Sequence, residues 1–148
     1  MTDRREAILS RLEEILGGLD GGWQAFRNKE DLTPRMYPCF VLFDGHEDRI
    51  DSGERIGMRT QGIGLVKMTP RIGIYLSEDP ETVGPDLNAM RISVLKAVLT
   101  DAALLDSLTF NGDMFYEGAG TALDRGMEMT GEMLLSISFT YMLNPFEF

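Results

Sequence analysis

The only histidine, His46, stands in the run Asp44-Gly45-His46-Glu47-Asp48, and an imidazole among carboxylates is raw material for a metal site or a general acid-base pair. Either chemistry needs partners converging from elsewhere, and no second histidine can supply another nitrogen. The acids Asp44, Glu47, Asp48 and Asp51 also lack the alternate spacing and central glycine of a calcium loop, so they read as a solvated charged segment. Cys39, the single cysteine, lies in the apolar run Pro38 to Phe43 with no base or cation beside it. It predicts a buried small hydrophobe, forms no intramolecular disulfide, and suits a reducing interior. Gly62-Ile63-Gly64 lacks the third glycine of a dinucleotide fingerprint, and neither a P-loop nor a GxSxG element occurs. No catalytic residue, metal ligand or cofactor site is assigned, and the expectation is a protein that is not an enzyme and uses no cofactor.

The segment holding His46 is the more informative unit. Residues 44 to 64 are charged, glycine-rich and almost without apolar residues, and with the two residues that follow they predict a loop over 44–66. Connections this long in compact proteins are usually functional or disordered arms. Glu47, Asp48, Asp51 and Glu54 face Arg49, Arg55 and Arg59 in near balance, which suits gripping another protein through charge pairs. The run Asn144-Pro145-Phe146-Glu147-Phe148 adds two exposed-end aromatics, so Phe146 and Phe148 join these seven as candidate partner-binding residues.

Charge is distributed unevenly. The net charge is -10, but residues 1–71 carry 11 basic and 12 acidic side chains, against 3 and 12 in residues 72–148. A strongly acidic second half disfavours stable binding to nucleic acid, which needs a basic footprint to neutralise phosphates. No apolar stretch approaches the 18 or more residues of a membrane span, and the charged, amphipathic N-terminal segment does not resemble a signal peptide.

The elements that must position these residues follow from periodicity. Ile8, Leu12, Ile15, Leu16 and Leu19 form a helical stripe opened by Asp3 and closed by Gly17 and Gly18. Trp23 to Asn28 reads as a strand, and Cys39 to Phe43, apolar on both faces, as a strand inside a sheet. From Lys67, Met68, Pro70, Ile72, Ile74 and Leu76 alternate with Lys67, Thr69, Arg71, Gly73 and Tyr75, with Pro70 suggesting an edge or a strand start. Pro85 to Thr100 predicts a second helix starting at Pro85. A hairpin then begins near Leu108, with Gly112 at a bulge, a polar connection from Gly118 to Gly126, and a last strand through Met133, Leu135, Ile137, Phe139 and Tyr141. The sum is one α+β domain over 1–148, a mostly antiparallel sheet of about five strands with two main helices on one face, in the order α-β-β-β-α-β-β. The uncovered face is expected to carry Arg71, Tyr75, Thr109, Asp113, Ser136, Ser138 and Thr140.

In this order of elements the chain resembles the tail terminator, or tail-completion, proteins of long-tailed bacteriophages. The likeness rests on the N-terminal amphipathic helix, PCFVLF, the long charged insert, MTPRIGIYL, the mid-chain helix and the hairpin ending in MLLSISFTYML. It implies a structural virion protein at the neck end of the tail, assembled in the host cytoplasm. It further implies a homo-hexameric ring that caps the finished tail tube, ends tube polymerisation and offers a surface to head-tail connector proteins. Its partners would be its own copies, the tube protein and the connector, with DNA passing an acidic channel without specific binding and no membrane involved. Two alternatives stay open: a head-side neck or completion protein of the same phage module, and a dimeric α+β ligand-binding or enzymatic domain.

Overall fold

The computed structural model describes residues 3–19, 21–50, 64–108, 112–125 and 129–144. Helix α1 (Arg4–Gly17) is followed by strands β1 (Gln24–Arg27), β2 (Cys39–Arg49) and β3 (Gly64–Glu78). Helices α2 (Pro80–Leu99) and α3 (Ala102–Ser107) precede the hairpin of β4 (Asp113–Arg125) and β5 (Met129–Leu143). The strands form one sheet in the order β1-β2-β3-β5-β4, parallel between β1 and β2 and antiparallel elsewhere. This is the α+β class expected, in the expected order, with short α3 added.

The helices sit on the sheet face defined by the expected alternations. Ile8, Leu9, Leu12, Ile15 and Leu16 of α1 and Val83, Leu87, Val94 and Val98 of α2 pack with Phe40, Leu42, Met68, Ile72, Ile74, Leu135, Ile137 and Phe139 in one buried cluster. Asp3 caps α1 by accepting the Arg5 amide, which satisfies a helix-end donor. Gly131 is a packing glycine: a Cβ there would lie 2.5 Å from Val83 and 2.9 Å from Leu87, so α2 seats against the bare backbone of β5.

The opposite face is only partly open. The segment after β1, with its 3-10 turn Pro34–Met36, folds across it, and Leu32, Met36 and Tyr37 pack on Cys39, Val41 and Tyr75. Tyr75 stacks on Tyr37 and is buried, and Ser138 is buried as well, both contrary to their expected place on an uncovered surface. Burial pushes the Cys39 thiol up to about 11, as befits a small core hydrophobe.

Several boundaries need correction. Of the loop expected over 44–66, residues 44–49 and 64–66 are strand, because β2 continues to Arg49 and β3 starts at Gly64, and residues 51–63 lie outside the described residues. Residues 46–49 gain backbone pairing from β3 while their side chains stay largely exposed, so no apolar alternation betrays the strand. Pro70 is internal to β3 and not at an edge or a strand start. Its missing N–H is accommodated by a bulge in β2 between Phe43 and His46, and pairing with β5 lapses between Met68 and Arg71. Helix α2 begins at Pro80, leaving Pro85 inside it on an exposed surface where a freed carbonyl can be hydrated. Leu108 ends α3 and does not begin a strand, the hairpin bulge falls between Tyr116 and Gly118 and not at Gly112, and the supposed connection from Gly118 is β4 as far as Arg125. Thr109 lies outside the described residues.

Candidate functional site

The stem of the β2–β3 hairpin gathers the charged groups. At its base Gly45 adopts φ +70°, and a Cβ there would fall 2.1 Å from the Thr69 carbonyl oxygen, so only glycine fits the bulge opposite Pro70. Beside it Arg27, the last residue of β1, is gripped on two sides. Its Nε and Nη2 donate to the Asp44 carboxylate at 2.8 and 3.0 Å, and Nη1 and Nη2 donate to Glu6 of α1 at 2.7 and 2.8 Å. Two forked contacts through one guanidinium tie α1, β1 and β2 together. Arg27 hydrogen bonds hold both carboxyls below their ordinary range, against an opposing contribution from burial. Asn28, at φ +52°, completes the joint: its side-chain oxygen accepts the Asp44 amide at 2.9 Å, and its own amide donates to the Leu42 carbonyl. Arg5 donates to the Gly45 carbonyl at 3.2 Å.

Beyond the bulge the outer half of β2 distributes its residues between the faces. Glu47 turns toward the helices and accepts the phenol of buried Tyr141. Asp48 turns the other way and pairs with His46 at 3.2 Å, both largely exposed. Arg49 closes β2, and the Ile50 amide donates to the Leu65 carbonyl at 3.1 Å. Of the proposed partner-binding residues, Glu47, Asp48 and Arg49 all lie on the stem, Glu47 bonded to Tyr141 and Asp48 paired with His46 within the subunit. Asp51, Glu54, Arg55, Arg59, Phe146 and Phe148 lie outside the described residues.

Across the open face Lys67 of β3 meets Glu117 of the β4 bulge at 3.0 Å, and the Ser138 hydroxyl donates to the same carboxylate at 2.7 Å. These contacts lower the Glu117 carboxyl, the Ser138 hydrogen bond most. A recess of about 380 Å³ near the covering segment is lined by Lys29, Glu30, Tyr37, Arg71, Tyr75 and Glu132, a mixed set that converges on no one point. Among the described residues no group of three His, Cys, Asp or Glu is arranged to hold a metal ion, and no helix is long and apolar enough to cross a membrane.

No protein-family model matches the chain, and no curated protein is significantly similar to it. The functional reading is carried by the chain's own residues.

Glu6, Arg27 and Asn28 escape sequence reasoning because their partners stand 16 to 21 positions away. The one local signal is Gly45 near the end of an apolar strand, followed downstream by a proline in its partner strand, a pairing that calls for a bulge.

Proposed function

We propose that this protein is a structural subunit of a long-tailed bacteriophage, forming a homo-hexameric ring that caps the finished tail tube and offers a joining surface to the head-side connector. The observation that carries the reading is the β2–β3 hairpin. Its outer half exposes charged groups of both signs on a paired stem, which leads directly into the charged segment from Asp51 to Gly62. A stem so built serves contact with another protein better than it serves chemistry. On the far side of the sheet the 13 residues of β4 have β5 as their one strand partner among the described residues, and Phe115 of this edge strand is exposed. A subunit with a charged hairpin at one side and a free strand edge at the other has two different surfaces, the requirement for head-to-tail contacts that close into a ring. Register sets Asp113, Asp124 and Glu132 on one face, where Glu117 at the bulge meets Ser138 and Lys67 and where Arg71 also lies, and the net acidic balance of that surface would let DNA slide past without adhering.

The test is incubation of the purified protein with tail tubes and, separately, with capsid portals, imaged by negative-stain electron microscopy. Rings at one end of the tubes and arrested tube growth are expected. Binding to portals alone, or a dimer that binds neither, would overturn the reading. Removing residues 51–62 while keeping the stem should leave a folded protein that no longer caps.

A further inference from the structure

The two halves of β2 are secured by different means, and the difference points to a built-in release. Cys39 to Leu42 pair with β1 on one side and β3 on the other, and all four are fully buried. Past Leu42 the parallel partner ends, because β1 stops at Arg27. From Asp44 onward β2 pairs, among the described residues, with β3 alone, through a ladder already broken by the Gly45 bulge. β3, by contrast, stays paired to β5 from Gly64 to Met68, over the same stretch of the stem. What binds the outer half of β2 to the body of the protein at the break is polar: the Arg27 forks to Asp44 and Glu6, the Asn28 acceptor for the Asp44 amide, and the Arg5 donor to the Gly45 carbonyl. Further out the Tyr141 phenol holds Glu47.

We propose that the Glu6–Arg27–Asp44 bridge is a latch on the outer half of β2, residues 44–50, which can open as a unit from β3 while the rest of the sheet stays closed. Three features confine the opening to this strand. The bulge breaks the cooperativity of the β2–β3 ladder at one place, so unpairing beyond it need not travel inward. On β2 itself few apolar side chains are involved, since residues 45–49 are already exposed and Ile50 is 43% exposed, so the resistance to opening comes from the cover over Val66 and Met68 and from the Tyr141 phenol bonded to Glu47. The guanidinium touches three elements at once, so its loss frees the strand from α1 and β1 together. Opening would bare the Leu65 to Thr69 edge of β3 and free the chain that runs into the segment assigned above to docking. That last step rests on the proposed tube-capping role, whereas the latch itself does not.

Amide hydrogen exchange measured by NMR on the intact protein tests the latch without any partner. In Arg27→Lys, which keeps the charge and loses the fork, and in Asp44→Asn, exchange at Asp44 and Ile50 should accelerate at least about tenfold, the equivalent of losing one hydrogen bond to a charged group. In the parent, exchange at Asp44 and Ile50 should already be at least about tenfold faster than at Ile74 and Leu135 and nearly independent of low urea, because a local opening exposes little surface, whereas the central pair should follow the global stability of each variant. Equal urea dependence at all four amides would overturn the proposal by showing that the strand opens only with the whole sheet, and so would unchanged exchange at Ile50 in the variants. Glu6→Gln, a milder change on α1, should accelerate the same two amides to a smaller extent; no change at either would remove α1 from the latch. Tube capping by the same variants is a separate readout. Capping lost by parent and variants alike would defeat the tube reading and leave the exchange result standing.

Discussion

The inner and outer halves of β2 are one strand by backbone geometry and two different structures by energetics. Phe40 and Leu42 hold the inner half by burial against both helices, whereas Asp44 holds the outer half through a guanidinium that is itself partly in water. Burial is indifferent to direction and hard to undo, while a forked ion pair is directional and can be released without exposing a core. The strand thus moves from permanent to reversible attachment within about two residues.

Four changes would break or sharpen this contrast. The largest effect belongs to the inner half: Phe40→Ala should cost about 3–5 kcal/mol in urea unfolding, because the ring is fully buried against Trp23 and the helices. A loss no larger than that of an outer-half substitution would erase the distinction. Next is the joint itself. Gly45→Ala forces a Cβ onto the Thr69 carbonyl at a positive φ and should cost on the order of 1–3 kcal/mol, read from the thermal midpoint.

A smaller effect is expected from pH. Asp44 and Glu6 have folded values below their unfolded ones, chiefly through Arg27, so the bridge contributes fully above about pH 5 and fades as acid protonates the folded carboxyls. The stability gap between the parent and Arg27→Lys should accordingly be present at pH 7 and narrow at about pH 3. A gap that widens in acid would mean the bridge is not the origin of the difference. The smallest change is His46→Ala, which removes an exposed pair with Asp48 and should alter stability by less than about 0.5 kcal/mol by urea unfolding.

How much of this was legible depended on whether burial wrote a pattern into the residues. The stripe of α1, the alternation from Met68 to Leu76 and that from Met133 to Tyr141 each reflect one buried face, and the structure has the elements they predict. Cys39 to Leu42 read as an interior strand because apolar residues fill both faces, and a second small cluster does cover the far side. Asp44 to Arg49 left no such mark, since residues 46–49 join β3 through the backbone ladder and the side chains of the segment are mostly solvated. The short helix α3 was hidden by Leu104, Leu105 and Leu108, which suit a strand equally well. Its signal was Asp101, whose carboxylate accepts the Leu104 amide at 3.0 Å and the Arg11 guanidinium at 2.7 Å. The Arg27 node was illegible for a different reason, because an ion pair between distant residues has no periodicity.

The order β1-β2-β3-β5-β4 also governs what happens while the chain is being made. β3 and β5 are central neighbours, yet α2, α3 and β4 separate them in sequence, and β5 is the last of the described strands to leave the ribosome. Until it arrives, the nascent chain carries Ile72, Ile74 and Leu76 on a strand with one side unpaired, an invitation to pair with the wrong chain. A chain released before Met129 would therefore be a sticky product needing chaperone capture, although its own N-terminal hairpin and α1 were complete.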